Sequence, residues 1–280
     1  IDPGLPGIQV VPTKSGDSGA GRPSPSAELL RAAIRRTGFT RNSAVHNSGK
    51  TVPVPQIRLY REWLRCTYGL EFDDYASMWE WSTTDLAAFW RSIWICHGLE
   101  SPTRFLSVVA GSMPSAAWFQ GAQVNYVRQV FRHAVLAEAA GQPAIIAENE
   151  CGQITELGWS ELRRRTASLA LELRCRGIGR GDRVAAYLPN IPEAVVSMLA
   201  CASLGAIWTL CSPDMGTRAV LDRFRQIAPK VLIAVDGVFH GGRAMDRSAA
   251  IDEIRRGLPS VAELLVVRTV YGNTDIRASI

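Results

Sequence analysis

The segment His240-Gly241-Gly242-Arg243 sets an imidazole and a guanidinium on either side of two glycines. Glycines leave their backbone amides uncovered, and the guanidinium beside them adds fixed positive charge. Such groups together can hold a phosphate by charge-assisted hydrogen bonds. The segment follows the apolar run Lys230 to Val235 and a turn at Asp236-Gly237. Four residues alone also describe a plain surface loop, so the elements around them must decide. Two more corners follow apolar runs, Pro189-Asn190-Ile191-Pro192-Glu193 and Cys211-Ser212-Pro213-Asp214. At the carboxyl end of a parallel strand, corners of this kind are where α/β sheets place ligands, although a rigid turn would read the same. Pro192 suits a first helical turn, and Asn190 or the residue beside it can cap. A serine followed two residues later by an aspartate makes no catalytic dyad, and Pro213 argues for a structural turn.

Other spacings imitate chemistry without its context. Gly177-Ile178-Gly179-Arg180-Gly181 has a dinucleotide-binding look, but that device needs a strand before the glycines and a helix after them. Here the order is helix, then strand, and the glycines read as a helix C-terminal turn. Gly16-Asp17-Ser18-Gly19-Ala20 resembles the nucleophile segment of trypsin-like proteases, which depends on a β-barrel and an upstream histidine. Low complexity explains it better. The six cysteines, Cys66, Cys96, Cys151, Cys175, Cys201 and Cys211, form no Cys-x-x-Cys pair and have no histidine at metal-ligand spacing. They are expected to be free, in a reducing cytoplasm.

The elements needed to position these groups are legible as periodicities. Residues 1–55 are rich in Pro, Gly and Ser with no sustained period, and are expected to be disordered or a non-native extension. A helical region follows over residues 56–135. Tyr60, Trp63, Leu64 and Thr67 set one face there. Ser82-Thr83-Thr84-Asp85 reads as a capping box opening a helix whose stripe is Leu86, Phe89, Trp90, Ile93 and Trp94, with Gly98 ending it. Trp118 to Tyr126 is expected to be a connecting loop before a helix carrying Phe131 and His133. Beyond residue 136 the pattern turns α/β. Pro143 to Ala147 and Gln153 to Thr155 suggest a hairpin, and Ser160 to Arg176 a helix with Leu162, Ala167, Leu169, Ala170 and Leu173 inward. Arg163-Arg164-Arg165 reads as that helix's solvated face. Strands are expected at 182–188, 206–210, 230–235 and 263–267, with helices at 191–204, 216–227 and 249–258. That alternation implies a parallel sheet with helices on both faces.

Composition excludes several classes. The 280 residues carry 31 Lys and Arg against 26 Asp and Glu, a net charge of +5 spread along the chain, which gives a nucleic-acid partner little support. Phosphorylated small molecules explain the charge as well. The first thirty residues lack the apolar core of a secretory signal. Ala194 to Cys211 carries no charge, but Ser197, Ser203, Gly205 and Thr209 dilute it, and a buried helix running into a buried strand fits better than a membrane span.

One family resemblance runs through these elements. Ala186-Tyr187-Leu188-Pro189-Asn190-Ile191-Pro192-Glu193, Gly205-Ala206-Ile207-Trp208 and Cys211-Ser212-Pro213-Asp214 resemble the early part of the adenylating domain of acyl-CoA synthetases. Asp222-Arg223-Phe224 and Pro229 to Gly237 narrow this to the acetoacetyl-CoA synthetases. Upstream, Asp74-Tyr75, Met78-Trp79, Trp81-Ser82, Asp85-Leu86, Phe89-Trp90, Ile93-Trp94, Met113-Pro114 and Trp118-Phe119 are similar in the same order.

The resemblance implies an α/β fold: an N-terminal helical region (residues 56–135) followed by the first part of a parallel-sheet AMP-binding domain (residues 136–280). It implies an AMP-forming ligase, in which a carboxylate attacks the α-phosphate of Mg-ATP and the CoA thiol then displaces AMP. ATP, Mg²⁺ and CoA would be the cofactors, and acetoacetate and CoA the substrates. In related acetyl-CoA synthetases the segment matching His240, Gly241, Gly242 and Arg243 contacts CoA, the arginine suiting the 3′-phosphate. No catalytic residue is carried over. The Ser/Thr/Gly-rich phosphate loop with its lysine, the hinge aspartate and the C-terminal lysine domain have no counterpart here. Tyr271-Gly272-Asn273-Thr274-Asp275 only mimics the family's adenylate motif. Thr209-Leu210 stands where two serines are commoner, and Met215 where an aromatic residue is. The expectation is an N-terminal fragment, inactive alone, with an uncovered sheet edge. A ligase for another short acid such as propionate or butyrate, and a non-catalytic CoA-binding module, stay open beside it.

Overall fold

The computed structural model describes residues 44–47, 50–53, 55–150, 152–270 and 276–278. The Gly16 to Ala20 and Tyr271 to Asp275 segments lie outside them, as does Cys151. Two compact units divide the chain, one drawn from Ile1–Gly98 with Val108–Trp118 and the other from Leu99–Ser107 with Phe119–Ile280.

In the first unit β1 (Ala44–Asn47) pairs antiparallel with β2 (Lys50–Pro53). Three helices follow: α1 (Gln56–Tyr68), α2 (Tyr75–Thr84) and α3 (Leu86–Cys96). Tyr60, Trp63 and Leu64 of α1 are buried as the spacing predicts, while Thr67 on the same helix stays exposed. They pack with Met78 and Cys96, and Phe72, Trp81, Phe89 and Ile93 close around them. The capping box sits one helix earlier than the sequence suggests. Asp74 accepts from the Ser77 amide at 2.8 Å, and Ser77 reaches back to Asp74, opening α2. Ser82, Thr83 and Thr84 instead end α2, their hydroxyls donating to carbonyls three and four residues back. Asp85 alone caps α3, through the Ala88 amide at 2.9 Å. The inward face of α3 is also rotated from the expected stripe. Ser92 and Cys96 are buried and Trp90 is exposed. Ser92 donates to the Phe89 carbonyl at 2.6 Å, which leaves the Tyr60 hydroxyl to donate to Ser92 at 2.5 Å.

The remaining elements are β3 (Ser107–Ala110), β4 (Ala117–Gln120), α4 (Tyr126–Phe131), α5 (Ala134–Ala139), β5 (Ile145–Glu148), β6 (Ile154–Leu157) and α6 (Trp159–Cys175). The alternating part follows with β7 (Arg183–Tyr187), α7 (Pro192–Leu204), β8 (Ile207–Cys211), α8 (Thr217–Arg225), β9 (Val231–Val235), β10 (Gly237–His240), β11 (Arg243–Asp246), α9 (Ser248–Arg256), β12 (Glu263–Val267) and β13 (Ile276–Ala278). The Trp118 to Tyr126 stretch thus holds part of a strand, and Phe131 and His133 fall at the break between two short helices. The β5–β6 hairpin forms as expected.

The main sheet has the order β13-β12-β9-β7-β8. Strands β12, β9, β7 and β8 run parallel, and β13 joins antiparallel. The strands read as apolar runs because both faces are covered. Val184 and Ala186, Val231, Ile233 and Val235, and Leu265 and Val267 face one helical layer. Leu162, Leu169 and Leu173 of α6 and Val196, Leu199 and Ala200 of α7 supply that layer. The alternate residues Ala185, Tyr187, Leu232, Ala234 and Leu264 face Val220, Leu221 and Phe224 of α8 and Ile251 and Ile254 of α9. Ala167 of α6 is exposed and Thr166 is buried in its place.

The Gly177 turn ends α6 as expected, with Gly177 at φ 76° after the cap. Asn190 does not cap α7. Ile191 holds that position without a side-chain bond, and Pro192 opens the helix. No helix among the described residues is long and apolar enough to cross a membrane. At the free edge, β8 leaves Ile207 51% and Leu210 44% exposed.

Phe224 is fully buried between α8 and the sheet, so Phe224→Ala should lower the unfolding free energy by about 3–5 kcal/mol. Leu171→Ala, at an exposed position on α6, should change it little. Urea unfolding of the two variants checks the assignment, and equal losses would overturn it.

Candidate functional site

In this sheet β7 leads to α7 on one face, whereas β8 and β9 lead to α8 and α9 on the other. Since β7 lies between β8 and β9, its chain leaves for one face and that of each neighbour for the other. The carboxyl end of β7 is therefore a topological switch point, the place where open α/β sheets leave a crevice for ligands.

The His240 segment follows β9, which lies next to β7 in the sheet. β10 and β11 form a closed antiparallel ribbon in which Gly237 pairs with Asp246 and His240 with Arg243. Gly241 and Gly242 make the two-residue turn at φ 58° and 75°, left-handed values that other residues rarely adopt. The turn alone accounts for the glycines. It also sets the His240 imidazole and the Arg243 guanidinium side by side as a cross-strand pair, both exposed. The base of the ribbon is fastened to the sheet. The Asp236 amide donates to Val267 at 3.1 Å and the Arg247 amide to Asp236 at 2.9 Å. The Asp236 carboxylate accepts from the Thr269 amide at 2.8 Å.

Two other loops stand near the ribbon or the ends of the strands. Glu150, in the β5–β6 turn, has its carboxylate 3.9 Å from His240 Nδ1. The corner after β8 is held by the Tyr187 hydroxyl, which donates to the Pro213 carbonyl at 2.9 Å. The Ser212 hydroxyl bonded to Asp214 holds that carboxyl below the usual carboxylate range, and the positive charge of Arg247 and His240 acts the same way. Burial pushes the Tyr187 phenol up, with Arg247 opposing it. Cys211 at the end of β8 is buried and free, its thiol also raised by burial.

All four predicted residues thus lie together at one tip, with Asp214 nearby in space. Arg247 was not singled out by sequence, because an arginine before a helix has no motif value. Among the described residues no group of three or more His, Cys, Asp or Glu could hold a metal ion. The first unit contains a cleft of about 320 Å³ lined by Tyr60, Met78, Trp79, Phe89, Ile93 and His97. Its aromatic floor suits apolar contact rather than recognition of charge.

Gly237 fixes how closely the ribbon lies on its surroundings. A Cβ there would stand 2.8 Å from the Met245 carbonyl oxygen and 2.9 Å from Val270. Gly237→Ala should destabilise the chain by about 1–3 kcal/mol in denaturant unfolding. Gly179→Ala, with open space around its Cβ and no left-handed φ, serves as the neutral comparison. Equal stabilities would overturn the packing argument.

Residues 131–278 match the family described as AMP-binding enzyme, and residues 75–130 match the acetyl-coenzyme A synthetase N-terminus. The acetoacetyl-coenzyme A synthetase of Rhizobium meliloti is 37% identical over 198 residues, 70% of this chain and 30% of that protein. The malonamoyl-CoA synthetase of Penicillium aethiopicum is 35% identical over 209 residues, 73% and 29% of the two chains. The solved acetoacetyl-CoA synthetase from Streptomyces lividans superposes with a TM-score of 0.72 at 38% identity, over 77% of this chain and 33% of its own. The chain therefore spans about a third of the length of these relatives. With the family matched over more than half its residues on a sheet of the same architecture, this chain belongs to the AMP-binding enzymes.

Proposed function

We propose that this chain is the N-terminal part of an AMP-forming acetoacetate–CoA ligase, converting ATP, acetoacetate and CoA to acetoacetyl-CoA, AMP and diphosphate. The observation that carries the reading is the named activity of the relatives. The Streptomyces lividans structure and the Rhizobium meliloti protein are both acetoacetyl-CoA synthetases at 37–38% identity. Residues 56–135 would form the helical N-terminal region and residues 136–280 the AMP-binding part, working as a small-molecule enzyme in a reducing cytoplasm. The free state of the five described cysteines fits that setting.

Within this chain the part of the ligase we assign is CoA binding. His240 and Arg243 would pair with the 3′-phosphate while the Gly241 and Gly242 amides face it, a fork-and-amide arrangement suited to a dianion. ATP and its Mg²⁺ supply the adenylation chemistry. No metal-ligand cluster is found among the described residues, and no step is assigned to the ion here. The malonamoyl-CoA synthetase relative supports a second reading, in which the chemistry is the same and another short acid is activated.

Two measurements test the proposal. The purified chain with ATP, acetoacetate and CoA should release no AMP above background, since the phosphate loop and catalytic lysine of the resemblance have no counterpart in it. Appreciable AMP would overturn the assignment of catalysis to residues outside this chain. By calorimetry it should bind CoA more tightly than 3′-dephospho-CoA, and Arg243→Ala should remove that preference, about tenfold. Equal affinity of the unmodified chain for both compounds would rule out the 3′-phosphate assignment.

A further inference from the structure

Arg247 is a cation beside the switch point with an unmet donor. It is partly buried between β11 and α9, and its backbone is fixed by the 2.9 Å bond from its amide to Asp236 at the end of β9. Its Nε is buried with no hydrogen-bond partner, and it enters no ion pair among the described residues. Other partly buried arginines of the same unit are satisfied. Arg165 meets Glu161 and Glu193, Arg176 meets Glu172 and Glu263, and Arg183 donates to the Ile227 and Ala228 carbonyls. A buried donor without a partner requires an explanation, because desolvating it is unfavourable until something accepts its proton.

We propose that Arg247 is an anion-binding residue of the switch-point crevice and takes the diphosphate of a nucleotide-bearing ligand lying across the carboxyl ends of β7, β8 and β9. Position argues for this in two ways. The amide anchor at Asp236 holds Arg247 at the end of β9, next to the end of β7. Its influence is also felt at Tyr187 and Asp214, which mark the ends of β7 and β8. Chemistry argues next. A guanidinium presents a planar fork that matches two phosphoryl oxygens, and Asp214, already bonded to Ser212, feels its charge but forms no ion pair with it among the described residues. Four residues of extended chain separate Arg247 from Arg243, about 13 Å at ~3.3 Å per residue. Arg247 and the tip therefore address different groups of a ligand, the tip a terminal phosphate and Arg247 an internal one.

The choice of ligand rests on the CoA reading of the tip, whereas the anion site itself does not, and the test separates the two. The chain is titrated calorimetrically with CoA, 3′-dephospho-CoA and inorganic diphosphate. Arg247→Gln should weaken dephospho-CoA and diphosphate alike, about tenfold, with an unchanged unfolding midpoint. Arg247→Lys, which keeps the charge without the fork, should fall between. Arg243→Ala should weaken only CoA. Unaltered binding of dephospho-CoA and diphosphate by both Arg247 variants would overturn the inference. If Arg243→Ala leaves CoA binding intact while Arg247→Gln weakens diphosphate, the tip reading falls and the Arg247 site stands.

Discussion

The double burial of β7 and β9 is the constraint on which the second unit depends. Each strand alternates its residues between two helical layers, so a shift by one position would exchange the sets that fit α6 and α7 with those that fit α8 and α9. Small residues at Ala185, Ala186 and Ala234 let those layers approach, and large ones at Tyr187 and Ile233 fill the gaps. Once this register is fixed, the carboxyl ends of β7, β8 and β9 stand level. The corners after them then converge without any residue needing to specify it. The site follows from the sheet rather than from a local motif.

Charge is distributed along the same axis. At the amino ends Lys230 and Asp182 pair at 2.6 Å, and Arg183 is committed to two backbone carbonyls. At the carboxyl ends stand the cations Arg243 and Arg247 with the His240 imidazole, and the carboxylates near them are only loosely engaged or already taken by a hydroxyl. A sheet with settled charges at one end and available ones at the other is electrostatically prepared for an anion at the second end. This is the physical content behind membership in a family that handles nucleotides.

Much of this was legible in the sequence. Glu263 to Val267 has the expected bounds, and β7 and β9 announce themselves as apolar runs because both of their faces are covered. The His240 to Arg243 segment stood out for its glycines and charges, but the ribbon that carries it was not expected, because residues 237–246 read as a turn and a loop. What failed did so where one residue type serves two purposes. Ser82, Thr83 and Thr84 can open a helix or end one by bonding back to earlier carbonyls, and nothing within four residues decides which. Ser92 was passed over as polar although it is buried, its hydroxyl bonded to Phe89 and Tyr60. Arg247 was invisible because its significance lies in the absence of a partner, which exists only once strands distant in sequence are brought together.

The β10–β11 ribbon leaves the sheet at Asp236 and returns at Arg247, and one backbone bond closes the excursion behind it. The base of the ribbon belongs to the sheet, Gly237 being buried against Val270 and Val238 packing on the core, whereas Phe239 to Asp246 are exposed. Additions or exchanges at the tip would leave the strand register untouched and cost only the slowly growing entropy of a longer loop. Changes confined to the exposed tip would leave the packed strands beneath it in place. The joint at Asp236 and Arg247 is in this sense a boundary between a packed chassis and an exposed head.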